Sequence, residues 1–157
     1  MTGWLLNVGR ATTMLRATAI VFSMLCLTFI TTGACSSLGT PSSEEVVRAF
    51  ADEGLPMGDI YPVEEVERWK TSPVPKTYTD GTHFDIPGMG EGHGGQVFVF
   101  ENEEDLNVMV DYYESLPNIS PMLQSHLYVE KLVLLQIGGN LPKSDADAYG
   151  DVLEQEV

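Results

Sequence analysis

Basic residues are scarce in this chain, which carries 8 lysine and arginine residues against 23 aspartate and glutamate residues. Its formal net charge at neutral pH is −15. A surface this acidic is repelled by the phosphates of nucleic acids and by anionic lipid head groups. The composition therefore argues against a nucleic-acid-binding protein, and against a domain that lies flat on an anionic membrane.

Cysteine is also rare, and the chain has two, Cys26 and Cys35. Cys26 lies inside an apolar N-terminal segment, so removal of that segment would leave Cys35 without a partner in the same chain. No intramolecular disulfide could then stabilise the fold, which must depend on a hydrophobic core. Residues 43–157 are enough for one domain with its own core and too few for two ordinary ones.

A long hydrophobic run is missing as well. Residues 17–30 are uncharged and mostly apolar, and Arg10 and Arg16 are the only charges before them. A membrane-spanning helix needs about 20 apolar residues, which this segment reaches only if the next four are counted. A basic region, a short apolar region and then small residues are typical of a secretory signal peptide. We expect residues 1–34 to be that peptide; an uncleaved transmembrane anchor is the alternative.

The first 13 residues are unusual for the start of a signal peptide. They include Trp4 and Leu5, where basic and polar residues are normal. A start at Met14 gives a signal peptide of conventional proportions. We therefore predict that translation begins at Met14.

The segment ends in Thr32, Gly33, Ala34 and Cys35, which resemble the lipobox of bacterial lipoproteins. Leucine is the preferred residue in the lipobox at the position of Thr32. The resemblance implies that a diacylglycerol is attached to the thiol of Cys35 and that the chain is cut after Ala34. Residues 35–42 would then be the lipidated cysteine and a flexible tether. An ordinary secreted protein with a free thiol is the other alternative.

Three later segments show apolar residues at helical spacing. The first, residues 43–53, opens with a capping box formed by Ser42 and Glu45. The second follows Asn102, a residue type that caps helices. The third begins at Pro142 or Ser144. Its apolar face consists of Ala146, Tyr149 and Leu153.

Other segments have the β-branched and aromatic composition of strands. These are residues 83–86, residues 96–100, and residues 126–137, which we interpret as two strands joined tightly near Glu130 and Lys131. The proline-rich residues 55–82 are expected to form an ordered surface connection, held to the core by Ile60 with Tyr61 and by Val66 with Trp69. The order of elements predicts a single α+β domain over residues 43–157. We expect an antiparallel sheet of about four strands, with about three helices packed on one face.

Four phrases in this domain resemble segments of small bacterial lipoproteins of unassigned function. They are EEVVRAFADEGLP at residues 44–56, GEGHGGQVFVFENEEDL at residues 90–106, YYESL at residues 112–116 and VLLQIGGNLP at residues 133–142. The resemblance covers roughly residues 44–155. It implies no catalytic residue.

A histidine and glycine region at residues 80–95 offers two candidate sites. His83 and His93 could hold a divalent metal or serve a hydrolase, together with the nearby carboxylates Asp80, Asp85 and Glu91. Gly90, Gly92 and Gly95 have the spacing of a dinucleotide-binding loop, but a strand follows them where that motif requires a helix. A flexible hairpin, or a lip beside a groove, is the preferred interpretation of these glycines.

The C-terminal segment contains a partial calcium-loop pattern. Asp145, Asp147, Gly150 and Glu156 occupy positions 1, 3, 6 and 12 of an EF-hand loop, but Tyr149 stands at position 5. An amphipathic terminal helix with a solvated acidic face explains the same residues.

The sequence thus predicts a lipid-anchored, extracytoplasmic and non-enzymatic binding or interaction module of the bacterial cell envelope. Its partner would be another envelope protein, a peptide or a cation, and no cofactor is expected. Ser36 follows the cysteine, which in a Gram-negative host implies sorting to the outer membrane. The alternatives are a hydrolase that uses His83 and His93, and a calcium-binding envelope protein.

Overall fold

The computed structural model describes residues 39–90 and 93–157. The predicted signal peptide, its cleavage site after Ala34 and the lipidation site Cys35 lie outside the described residues. Short 3₁₀ turns lie at Val63–Glu65 and Pro121–Leu123. The strands are β1 (Ile60–Pro62), β2 (Asp80–Asp85), β3 (Gly94–Val99), β4 (Ser125–Glu130) and β5 (Val133–Gly138). The helices are α1 (Ser43–Asp52), α2 (Glu67–Thr71), α3 (Glu103–Ile119) and α4 (Lys143–Glu156).

The strands form one antiparallel sheet in the order β1-β2-β3-β5-β4. β3 is buried at all six positions, as expected for the central strand. The predicted α+β class is therefore confirmed, with one strand more than expected. The extra strand is β1, which lies in the proline-rich connection and pairs with β2. Three residues ending in proline are too short to show an alternating pattern.

The helices cover both faces of the sheet, which corrects the expectation that they pack on one face. Val97 and Val99 of β3 contribute to a core with α1 and α4. Phe98, which lies between them, contributes to a second core with α2 and α3. Successive strand residues point to opposite faces, so a strand that is apolar at every position needs cover on both sides.

The start of α1 is as predicted. Ser42 and Glu45 form the reciprocal capping box, and the helix ends after Asp52. The amide of Ser43 donates to Oδ2 of Asp80 at 2.8 Å, and the hydroxyl groups of Ser43 and Thr82 are 2.7 Å apart. These contacts attach the first turn of α1 to β2.

The connection before β2 is held to the core by residues that the prediction names only in part. Val66 and Trp69 are buried, as expected. Val63 is also buried, whereas Ile60 is 41 % exposed. Ile60 begins β1, which is an edge strand with one neighbour in the sheet.

α4 lies directly against β4 at Gly150. A Cβ atom added at Gly150 would lie 2.4 Å from Cδ1 of Tyr128. The Tyr128 ring is held in place, because its hydroxyl donates to Oδ1 of Asp147 at 2.8 Å. The glycine thus permits a close approach of helix and strand.

We predict that Gly150→Ala destabilises the domain by about 1–2 kcal/mol, because the added methyl clashes with Tyr128. Alanine otherwise favours a helix by about 1 kcal/mol over glycine. In a Tyr128→Ala background the clash is gone, so the same change should stabilise. Urea unfolding of the four chains of this double-mutant cycle measures both effects. If Gly150→Ala changes the free energy of unfolding in the same direction in both backgrounds, a clash with Tyr128 is not the cause.

Tyr149 is buried at the centre of the first core. Its ring packs edge-on against Phe50 and stacks on Phe84. Its hydroxyl donates to the carbonyl oxygen of Pro56 at 2.6 Å. Burial, together with the charge of Asp145, raises the pKa of Tyr149 to about 12.

Because this pKa lies above its ordinary value of 10.0, the folded chain keeps the proton over a range in which the unfolded chain loses it. The contribution to stability is complete below pH ~10 and is lost as the pH rises through about 12. We expect the free energy of unfolding to fall over this range, and to fall less in Tyr149→Phe. Urea unfolding at several pH values measures the free energy of unfolding of the two chains, and a tyrosinate absorption titration follows the loss of the proton. The same pH dependence in the wild type and in Tyr149→Phe would contradict the prediction.

Candidate binding groove

A groove of about 680 Å³ lies on the α3 side of the sheet. One wall is the C-terminal half of α3, and the other is the chain from Trp69 to Val74. The floor is formed by β3 and β5. Met89 and His93, from the glycine-rich segment, border it.

Two glutamines form the polar part of the floor. Gln96 of β3 and Gln136 of β5 are directly opposite each other in the sheet. Gln136 donates through Nε2 to Oγ of Ser125 at 2.9 Å. Gly138 lies beside this pair, and its lack of a side chain lets Asn140 and Met89 approach closely. A Cβ atom at Gly138 would lie 3.0 Å from Oδ1 of Asn140 and 3.1 Å from Cε of Met89.

The walls are mostly apolar and aromatic. Trp69 is buried and stacks on Phe98, with ring centroids 5.4 Å apart. Tyr112 packs edge-on against Tyr113; Tyr113 is buried in the second core, and Tyr112 is partly buried against it. At the rim, Ile119 is 75 % exposed and Met122 is 93 % exposed. Such packing gives a preformed groove with exposed apolar side chains along its rim.

A chain of buried hydrogen bonds fixes the amide of Gln96. The hydroxyl of Tyr113 donates to its Oε1 at 2.9 Å. Its Nε2 lies 3.4 Å from Nδ1 of His83. On the other side of the imidazole, Nε2 lies 3.0 Å from Oδ1 of Asp85. An amide nitrogen donates, so in this arrangement Nδ1 accepts from Gln96 and Nε2 faces the carboxylate of Asp85.

Tyr61 closes this chain on the side of β1. Its ring lies against the ring of His83, with centroids 4.9 Å apart. Its hydroxyl donates to Oδ1 of Asp85 at 3.3 Å. Asp85 therefore accepts from two residues, and the imidazole is held between a carboxylate and an amide.

The structure brings His83 and Asp85 together but does not build the predicted metal or hydrolase site. His83 is fully buried, while His93 is exposed at the border of the groove. Asp80 binds the first turn of α1. Within residues 39–90 and 93–157, no three His, Cys, Asp or Glu side chains converge as metal ligands would. Glu91 lies outside the described residues.

The glycine-rich segment leads into a strand, as the sequence analysis expected. Gly90 has a positive φ of 100°, and Gly95 lies in β3. Gly92 lies outside the described residues. A dinucleotide site needs a helix N-terminus at this point, and β3 occupies it.

The calcium-loop pattern falls entirely within α4, which runs from Lys143 to Glu156. A helix directs these residues around its axis, whereas an EF-hand loop must wrap around one ion. Asp147 has other partners, since Lys143 and the hydroxyl of Tyr128 both donate to its Oδ1. These two bonds lower the pKa of Asp147. Burial, with the charges of Asp147 and Asp151, raises that of Tyr128.

A lip beside a groove was one expectation for the glycine-rich segment, and Met89 and His93 do border a groove, but its floor and walls were not predicted. Its floor comes from two strands that are distant in sequence, and its walls come from a helix and an irregular segment. One signal was present: Gln96 and Gln136 are the polar residues in two otherwise apolar strands, QVFVF and VLLQI. A glutamine at the centre of a sheet needs hydrogen-bond partners, and that requirement marks the site.

Comparison of the chain with protein-family models, curated proteins and solved structures gave no match. None of the helices in the described ranges is long and apolar enough to cross a membrane.

We predict that Gln96→Leu costs about 2–4 kcal/mol, because it removes the amide that bridges the buried Tyr113 and His83. The matched change Gln136→Leu affects one bond at a half-buried site and should cost less than about 1 kcal/mol. Urea unfolding of both variants measures the difference. If both variants lose the same free energy of unfolding, the buried hydrogen bonds of Gln96 have no special role in stability.

Proposed function

We propose that the domain is a binding module whose groove takes an uncharged ligand with both apolar surface and hydrogen-bonding groups, such as a neutral stretch of peptide. The observation that carries this proposal is the pair of glutamine amides on the floor, between apolar walls. Pockets of this kind bind ligands through apolar area and use a few fixed polar groups for orientation.

The amides differ in what they offer a ligand. Gln96 is held at both ends, by Tyr113 and His83, and contributes a fixed surface. Gln136 uses its nitrogen for Ser125, and its carbonyl oxygen accepts no hydrogen bond from a described residue. That oxygen is available to a donor such as a peptide N–H.

Charge favours a neutral ligand. Of the described residues that line the groove, none is Asp, Glu, Lys or Arg, and His93 is exposed at its border. A charged group in the groove would lose hydration without an ionic partner there. The net charge of −15 adds a general repulsion of anions.

The groove supports binding more than hydrolysis. A general base must reach the proton that it removes from a substrate or water. His83 lies beneath the ring of Tyr61, and its two nitrogens are engaged by Asp85 and Gln96. It acts as a structural support for the floor.

The location of the module is part of the same proposal. Cys35 would carry the lipid, and residues 35–42 would connect it to Ser43, the first residue of α1. Eight extended residues reach at most about 26–29 Å. The domain would therefore stay close to the membrane and bind partners in the envelope.

The groove is tested with N-acetyl-leucyl-leucinamide as a neutral probe and N-acetyl-leucyl-leucine as its charged counterpart. We expect the neutral probe to shift the side-chain amide NMR signals of Gln96 and Gln136, and the acid to bind at least about tenfold more weakly. Gly138→Leu fills the groove and should abolish the shifts. Gly39→Leu is the control, since nothing lies within 4 Å of a Cβ at Gly39. Unchanged amide signals with the neutral probe would contradict the proposal.

The anchor is tested by expressing the full chain and Cys35→Ala in a bacterium. We expect a mature chain that begins at Cys35, carries acyl mass and sediments with membranes, while the variant is released. Intact mass and membrane fractionation measure this. A variant that stays in the membrane with residues 17–34 intact would instead indicate a transmembrane helix, and an unacylated, unbound wild type would indicate a free thiol.

A further inference from the structure

β4 is an edge strand whose outward hydrogen-bonding groups can be assigned. The amide of Gly139 donates to the carbonyl oxygen of Gln124 at 2.9 Å, so the even-numbered residues of β4 pair with β5. On the side of β5 that faces β3, the amide of Phe100 donates to the carbonyl oxygen of Leu132, which agrees with this assignment. In an antiparallel ladder the alternate residues then point their N–H and C=O groups away from the sheet. Those residues are Ser125, Leu127 and Val129.

The two edges of the sheet differ in protection. β1 has three residues and ends in Pro62, and both features discourage the pairing of further strands. β4 has six residues, SHLYVE, with no proline and with Glu130 as its one carboxylate. Within the described residues, no strand pairs with its outer side. An edge of this kind is a template for another strand.

Apolar side chains collect beside this edge on the α3 side. Leu127 packs against the α3 core, and Val129 points to the same face because it lies two residues further along the strand. Val129 is 47 % exposed and Leu123 is 44 % exposed. Together with Ile119 and Met122, they make up four of the six exposed large hydrophobic residues in the described ranges.

Acidic side chains line the same edge on the α4 side. Tyr128 points to that side and donates to Asp147, and Asp151 lies close enough to influence its ionisation. Glu154 follows Asp151 by three residues on α4, so the three carboxylates form one stripe along the helix. Asp151 and Glu154 are exposed.

We propose that the outer edge of β4 accepts an extended peptide segment as a sixth strand. Basic side chains of this segment would face the stripe on α4, and its apolar side chains would cover Val129 and Leu123. Alternate side chains of an added strand reach the two faces of the sheet in turn, which gives the specificity of such binding. A second copy of this chain fits less well, because pairing of the two β4 edges would bring the acidic stripes together.

This inference goes beyond the groove. Ile119, Met122 and Leu123 border both sites, but the pairing with an added strand depends on the outward backbone groups of Leu127 and Val129, which do not line the groove. Filling the groove with Gly138→Leu leaves the outward groups of β4 in place. The two sites can therefore fail independently.

The experiment uses a fluorescent, end-capped octapeptide of alternating lysine and valine, with the folded domain titrated into it and anisotropy measured. The first control is the same peptide with an N-methyl group on every residue, which keeps the charge and the side chains but leaves no N–H on either edge to complete the ladder. The second is a glutamate and valine peptide. We expect the N-methylated peptide to bind at least about tenfold more weakly and the acidic peptide not to bind.

The matched variants are Val129→Pro and Val129→Ile. Proline at position 129 removes an outward N–H and no ladder hydrogen bond, a position where edge strands tolerate it. Isoleucine keeps the N–H and the apolar, β-branched character. Thermal melts establish that both fold. We expect Val129→Pro to weaken binding about tenfold and Val129→Ile to leave it within about twofold.

Two results would overturn the proposal. If the N-methylated peptide binds as tightly as its parent, attraction to the acidic surface explains the binding and the ladder plays no part. If sedimentation of the domain without peptide shows a dimer that Val129→Pro dissociates, the edge belongs to a second copy. The N-methyl comparison needs no variant, so it decides the question even if Val129→Pro does not fold.

Discussion

The buried amide of Gln96 is the interaction on which the arrangement around the groove depends. It lies in the central strand, where every position is buried, so both ends of the amide must be hydrogen-bonded. Tyr113 satisfies one end from α3, and His83 satisfies the other from β2. The histidine in turn needs a partner, which Asp85 supplies. One polar residue in the sheet thus fixes a helix, a neighbouring strand and the carboxylate at the end of that strand.

The groove follows from the way in which the second face of the sheet is covered. On the first face, α1 and α4 lie side by side over an aromatic core of Phe50, Phe84 and Tyr149. On the second face, α3 is the one long helix, and the rest of the cover is the short α2 with its extended continuation to Val74. Between these parts the floor is left open, and the open part is where the sheet carries glutamines instead of valine, leucine or phenylalanine.

Much of the fold was predictable because its signals are local. The capping box of Ser42 and Glu45, the cap at Asn102 and the apolar runs of β3 and β5 each depend on residues close together in the chain. The placement of helices on both faces was implied by the same runs, since apolar residues at consecutive strand positions require cover on both sides. β1 was not predictable, because it owes its existence to pairing with β2.

The candidate site was less predictable, because its polar groups meet only through the sheet register. His83 drew attention as a ligand or base, yet its surroundings make it a support for Gln96. The pairing that places His83 beside Gln96, and Gln96 beside Gln136, joins three strands. A single sequence carries the polar residues but not the register, and a shift of one residue would send them to the opposite face.

Charge and apolar surface are separated on this domain in a way that fits a binding role. Acidic residues outnumber basic residues by 23 to 8, and the resulting negative charge opposes self-association. The exposed apolar residues gather at one end of α3, between the groove and the outer edge of β4. A partner with neutral or basic character can approach this end, while a second copy, with the same acidic exterior, is discouraged. In the binding role proposed above, the acidic composition would select the class of partner, and the sheet with its two glutamines would set the position of the groove.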